Sequence, residues 1–180
     1  MQLGKFQKLL LQTTIIHLKI GGNNLIVEID ESKFRKSRFH RGHHVEGVWV
    51  LGIVEKDGPK RIKLFRVDDR SKITLEKYIV NSVHIETKIY TDCWKEYTGL
   101  KNLLNDHSTV NHSKYFKVSI THVHTNTIEG NWFAVKRQTP PRGRTKKTFD
   151  LYLVRFILLR NEIRHPLQRL IKYCFYFFDI

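Results

Sequence analysis

The chain has 180 residues, 41% of them hydrophobic, which suits one globular domain with a sizeable core. Lys plus Arg at 32 against Asp plus Glu at 17 gives a net charge of +15, a strong positive field whose natural partner is a polyanion. Two cysteines, Cys93 and Cys174, with no CxxC pair, support neither a disulfide framework nor a cysteine zinc site, and no apolar run reaches signal-peptide or membrane-spanning length.

Residues 3 to 20 carry Leu3, Phe6, Leu10, Ile15 and Ile16 at broadly helical spacing and stop at Gly21-Gly22, which predicts a lead-in helix over residues 1–22. Leu25 to Asp30 follows as the first, central strand, an apolar run that ends in acids. Val45 to Val54 is a second strand with Trp49 and Val50 among its β-formers, Asp57-Gly58 marks a hairpin, and Arg61 to Val67 alternates charged with apolar residues as a half-exposed strand does. Ser71 to Val83 reads as a helix with Ile73, Leu75, Tyr78 and Ile79 on its buried side. A short strand, Lys88 to Thr91, ends at Asp92; Trp94 to Leu104 reads as a helix and Thr109 to Asn111 as a short fifth strand. Another helix places Ile128, Trp132 and Val135 toward the core and is broken by Pro140-Pro141 and Gly143. A long helix then runs from Phe149 to Arg164, leaving an aromatic tail over residues 166–180 that packs on the domain or is the sticky end of a truncated chain. Three strands, a helix, a strand, a helix, a strand and a helical remainder make an α/β protein.

Carboxylates stand at the ends of three of these segments. Asp30 ends the first strand and Asp92 the fourth, and Glu129 opens the late helix, with 61 residues between the first two and 36 between the second and third. Converging carboxylate oxygens suit a hard divalent cation such as Mg2+. Each acid also has a purely structural role open to it. Asp92 is placed to cap the helix that follows, and Asn126-Thr-Ile-Glu129 reads as a capping box. Strand alternation puts Glu28 on the face of Asp30, one step deeper, which makes it at most a supporting residue, as is Glu31.

Two basic stretches directly follow a candidate acid. Residues 33 to 44 hold five Lys/Arg, three His and no acid, and residues 136 to 147 hold six Lys/Arg and no acid. Cations beside an acidic centre would hold phosphates there, which points to nucleic acid and to Lys33, Arg35, Lys36, Arg38, Lys136, Arg137, Arg142 and Arg144 as its contacts. The histidines, including His40, His43, His44, His112, His122 and His124, fit no standard zinc spacing. Nothing reads as a serine or cysteine nucleophile arrangement, and no glycine-rich phosphate loop follows a strand.

An ordered set of motifs resembles the catalytic domain of DDE transposases, most closely the Merlin superfamily and its bacterial insertion-sequence (ISXO-type) relatives. The matching text is Gly21-Gly22, Val27-Glu-Ile-Asp-Glu-Ser-Lys-Phe34, Gly47-Val-Trp-Val-Leu-Gly52, Asp69-Arg-Ser71, Thr91-Asp-Cys-Trp94 with Tyr97, Val110-Asn-His-Ser113, and His124-Thr-Asn-Thr-Ile-Glu129 with Trp132 and Lys136, covering about residues 21 to 165.

The resemblance implies an RNase H-like fold over residues 23–165, a mixed five-stranded sheet flanked by helices in which the first and fourth strands are neighbours. It implies that Asp30, Asp92 and Glu129 hold two Mg2+ or Mn2+ ions, cut DNA at transposon ends and join the freed 3′ hydroxyl to target DNA. Asn111, His112 and Asn126 take supporting positions; Asn126 is the alternative third ligand, and Glu129 is chosen because carboxylate is the stronger Mg2+ ligand. Assembly as a homo-oligomer on DNA is also implied, as is a nuclear location in a eukaryote or a cytoplasmic one otherwise. The rival readings are a nuclease of the same fold that cuts without joining and an inactive or host-adopted DNA-binding remnant, the latter favoured by the lack of a recognition module ahead of the domain.

Overall fold

A computed structural model describes residues 19–34, 47–92, 94–104, 106–110, 125–140 and 149–161. Among these, the strands are β1 (Ile26–Phe34), β2 (Val48–Glu55), β3 (Ile62–Val67), β4 (Lys88–Asp92) and β5 (Asp106–Val110). The α-helices are α1 (Lys72–Ser82), α2 (Asn126–Gln138) and α3 (Phe149–Asn161), and a 3-10 helix spans Lys95–Asn102.

The strands form one sheet in the order β3-β2-β1-β4-β5. β1–β2 and β2–β3 pair antiparallel, whereas β1–β4 and β4–β5 pair parallel. Antiparallel partners follow one another along the chain because a short turn suffices; the parallel partners need crossovers, which α1 and the 3-10 helix supply. This mixed sheet, flanked by helices, is the RNase H-like arrangement that the resemblance implies.

Helices cover both faces of the sheet, so β2 (VWVLGIVE) reads as a nearly continuous apolar run. On one face Val27, Ile29, Leu51, Ile53 and Ile89 pack with Leu75 and Ile79 of α1 and with Tyr97 and Leu100 of the 3-10 helix. On the other, Phe34, Val50, Val54 and Ile62 pack with Ile128, Trp132 and Val135 of α2 and with Phe149, Leu153 and Phe156 of α3. Burying side chains such as Leu75 and Ile79 contributes roughly 1.5–3 kcal/mol each. The edge strand β3 is shielded where the Asn161 side chain brackets Ile62, accepting from its N–H (2.7 Å) and donating to its carbonyl (2.9 Å).

Several expectations need correction. The expected lead-in helix falls mostly on residues outside the described set, but its last residues are extended: Ile20 is buried and bridges Val83 in parallel, with Gly21 at a φ of 82° behind it. β1 does not end at Asp30 but runs on to Phe34, because β2 keeps pairing with it through Phe34↔Val48. Ile73 is 80% exposed, since α1 buries Leu75, Ile79 and Ser82, and Ile73 lies two residues, or about 200°, away from Leu75 around the helix. The segment after Asp92 is a 3-10 helix rather than an α-helix; its large buried residues, Tyr97 and Leu100, are three apart and align in that tighter spiral. β5 begins earlier than expected, at Asp106. The long last helix is described as far as Asn161, and the aromatic tail lies outside the described residues.

A candidate acidic centre at the crossing of β1, β4 and α2

Alternation along β1 sends successive side chains to opposite faces. Glu28 and Asp30 point to the α2 face, and Glu31 points to the α1 face. The parallel register pairs Glu28 with Tyr90; carried forward two residues, it sets Asp30 beside Asp92 at the end of β4. α2 crosses the same face with Ile128 and Trp132 buried against the sheet and Glu129, exposed, between them in sequence.

The electrostatics bear the mark of this convergence. Burial pushes the Asp30 carboxyl above its ordinary value; the Trp132 indole N–H opposes that, and the charges of Asp92 and Glu129 add to it. Glu31 is pushed up to about 8, first by burial and then by the charges of Asp30 and Asp92, with Arg70 acting against them. Burial and neighbouring carboxylates thus both oppose ionisation of Asp30 and Glu31.

Each acid is held by a neighbour. Asp30 Oδ2 accepts from Trp132 Nε1 at 2.8 Å. Asp92 Oδ1 accepts the backbone N–H of Trp94 at 3.0 Å, a local turn that starts the 3-10 helix. Glu129 Oε1 accepts from the Thr125 hydroxyl at 3.4 Å. The capping-box reading is off by one: Thr125, not Asn126, is the N-cap of α2, and its side chain caps no backbone N–H. The cap comes from elsewhere. Glu28, wholly buried, accepts the Ile128 N–H at 2.9 Å from a strand 100 residues away.

Behind Glu31, the Arg70 guanidinium lies 3.7 Å from the Trp49 ring centre and 4.4 Å from that of Trp94, with Glu31 Oε2 at 3.9 Å. An arginine packed between two indoles gains cation–π attraction while shielding the carboxylate. Lys33 lies on this face too, its amine 5.2 Å from the Trp49 ring centre. Lys136 lies on the opposite face, its amine 5.5 Å from the ring centre of Phe34, and Arg137 beside it is exposed. Of the basic residues expected to act together, Lys33 and Lys136 thus lie on opposite faces of the sheet. Asn126 is exposed on the first turn of α2. Arg35, Lys36, Arg38, Arg142, Arg144, Asn111 and the six singled-out histidines, His112 among them, lie outside the described residues.

The donors suit a hard ion: three carboxylates on one face of the sheet, with Asp30 raised by burial and by the charges of Asp92 and Glu129. Among the described residues, no group of three or more His, Cys, Asp or Glu side chains is gathered closely enough to hold an ion as they stand.

The ISXO2-like transposase domain family matches residues 20–155. The chain belongs to that family. No curated protein matches it. In this transposase domain the matched span takes in all five strands, α1, α2, and the first half of α3. Among the described residues no helix is long and apolar enough to cross a membrane.

Local reading of the sequence missed the bond from Trp132 to Asp30, the cap from Glu28 to α2 and the stacking of Arg70. One signal was present: Gly52, a glycine inside an otherwise apolar strand, marks a close approach. A Cβ there would lie 2.6 Å from the Trp132 indole, and Gly52 is paired directly with Asp30.

Proposed function

We propose that this transposase domain, over residues 23–165, cleaves and joins DNA strands through Asp30, Asp92 and Glu129, with DNA ends and target DNA as its substrates. The observation that supports the reading is the placement of these acids: the parallel register of β1 and β4 puts Asp30 and Asp92 on the sheet face that α2 crosses with Glu129 in its first turn. The three would hold Mg2+ or Mn2+, two ions in all, which when bound activate the attacking oxygen and neutralise charge on the phosphate.

The chain's own residues supply the rest. Asp30 is half-buried, and the Trp132 N–H holds its orientation. The Trp94 amide holds Asp92. Lys33 and Lys136, on the two faces, together with Arg137 and the basic residues that follow Asp30 and Glu129 in sequence, neutralise DNA phosphates on either side of the centre.

The test is strand transfer from pre-cut DNA ends in Mn2+, comparing the native chain with Asp92→Asn. Joining by the native chain alone supports the triad and the reaction class together. Cutting without joining would assign the nuclease reading. Equal DNA binding by both proteins with neither cutting nor joining would assign the binding-remnant reading.

A further inference from the structure

Glu129 and Asp30 lie on different elements, and their relative placement depends on how α2 seats on β1. Two hydrogen bonds bracket that seat. The Ile128 N–H, one residue before Glu129, donates to Glu28 Oε2, and the Trp132 indole, about one turn after it, donates to Asp30 Oδ2. Their acceptors are two residues apart on one face of β1.

Packing alone does not account for Glu28. It is wholly buried, and its Oε1 makes no hydrogen bond. An apolar side chain at that position would avoid the desolvation of a carboxylate. A carboxylate does what an apolar residue cannot: it satisfies an orphan N–H in the first turn of α2 and lies at the positive end of the helix dipole. The helix's own N-cap, Thr125, makes no such bond. Trp132 has an equally specific requirement. Its ring crosses β2 at Gly52, where any Cβ would meet it at 2.6 Å, and only in that slot does its N–H reach Asp30.

We propose that Glu28 and Trp132, with Gly52 as the slot, form a latch that positions Glu129 against Asp30, a role that rests on the transposase reading above. Glu28 acts through the Ile128 amide and Trp132 through the Asp30 carboxylate, so both are positioning residues.

Three variants separate this role from plain packing. Trp132→Phe keeps most of the ring and removes the donor. Glu28→Leu removes the acceptor, and Glu28→Gln restores one. The measurements are strand transfer from pre-cut ends in Mn2+, resolved into kcat and KM for DNA, Mn2+ affinity by calorimetry without DNA, and hydrogen exchange of the Ile128 amide and the Trp132 indole N–H. Trp132→Phe and Glu28→Leu are expected to lower kcat and Mn2+ affinity by about 10- to 100-fold, the usual effect of losing a group that orients a ligand, with KM for DNA little changed. Glu28→Gln is expected to recover most of both. In the native chain both N–H groups exchange slowly; Asp30→Ala releases the indole and Glu28→Leu releases the amide.

Native kcat and Mn2+ affinity in both Trp132→Phe and Glu28→Leu would overturn the latch. So would Glu28→Gln as damaging as Glu28→Leu, or fast exchange of both N–H groups in the native chain. If the native chain joins no strands yet both N–H groups are protected and Mn2+ affinity falls in the variants, the transposase reading fails and the positioning of the acids stands.

Discussion

At one end of the β1–β2 pair, Glu55 is wholly buried and fully answered; a few residues along, Asp30 and Glu31 are largely buried and crowded by other acids. Glu55 accepts from the Gly21 N–H (2.8 Å), the Arg61 N–H (2.9 Å) and the Arg61 side chain (Nε at 3.0 Å). Burial pushes its carboxyl up, but the hydrogen bonds from Arg61 and Gly21 and the Arg61 charge outweigh it and hold the group below its ordinary value. Asp30 and Glu31 move the other way, because burial there is reinforced by neighbouring carboxylates. One sheet thus uses a buried carboxylate as a structural tie at one end and at the other keeps carboxyl groups whose ionisation is opposed by burial and by neighbouring carboxylates. Carboxyl groups perturbed in this way cluster at functional sites, and a bound cation would favour their charged form.

The largest contrast is expected in activity. Asp92→Asn should lower strand transfer by on the order of a thousandfold or more while leaving the unfolding midpoint close to native, since the amide can still accept the Trp94 N–H. Strand-transfer rates beside urea denaturation check both halves.

Stability should show the reverse pattern at the other end. Glu55→Ala leaves Arg61 and the Gly21 amide without their acceptor and should destabilise the fold by about 3 kcal/mol, read from urea unfolding. A near-native midpoint would break the comparison. Next in size is Gly52→Ala, whose methyl group would force the Trp132 indole away from Asp30 at a cost of about 1–3 kcal/mol. It should be accompanied by a changed near-ultraviolet circular dichroism band.

The smallest effect is on pH dependence. Glu31 holds its proton in the folded chain up to about 8 against an ordinary 4.5, so its favourable contribution is fully present below about 4.5 and is lost as the pH rises through about 8. Lys63, buried on β3, is pushed down to about 8 from 10.5 by burial and by the charges of Arg61 and Lys19. Its contribution has the opposite sense, being present above 10.5 and lost as the pH falls through about 8. Together these groups place a minimum of stability near pH 8. Glu31→Gln should remove the limb on the acid side and make the chain at least about 1 kcal/mol more stable at pH 8, measured by thermal unfolding across pH.

Much of the fold was legible in order and kind. The apolar runs, the Asp57-Gly58 turn and the alternation of Arg61 to Val67 all mark elements that the sheet contains. The misreadings share a cause. Ile73 is as apolar as Leu75, and only the direction from which α1 meets the sheet leaves it outside. Asn126 and Thr125 are both good caps by residue type, yet the first-turn N–H of Ile128 is accepted by Glu28 on a distant strand. For the site, the three acids and their order could be named from the chain, whereas Trp132 as partner of Asp30 and Arg70 as partner of Glu31 could not. Trp132 looks like any buried tryptophan on an amphipathic helix until β2 is placed beneath it, and Arg70 looks like a loop cation until two indoles, one on β2 and one just ahead of the 3-10 helix, enclose it.

By itself the sequence determined what is local: which stretches are strands or helices, where glycines and prolines interrupt them, and that Asp30, Asp92 and Glu129 are carboxylates near element ends in a strongly basic chain. The tertiary structure alone decided which oxygens are hydrogen-bonded, which carboxyl groups are pushed up by burial and nearby acids, and which are held down by a cation. Those properties depend on distances between residues up to 102 positions apart, as from Asp30 to Trp132, and Coulomb and hydrogen-bond energies follow separation in space, on which spacing along the chain places no comparable constraint.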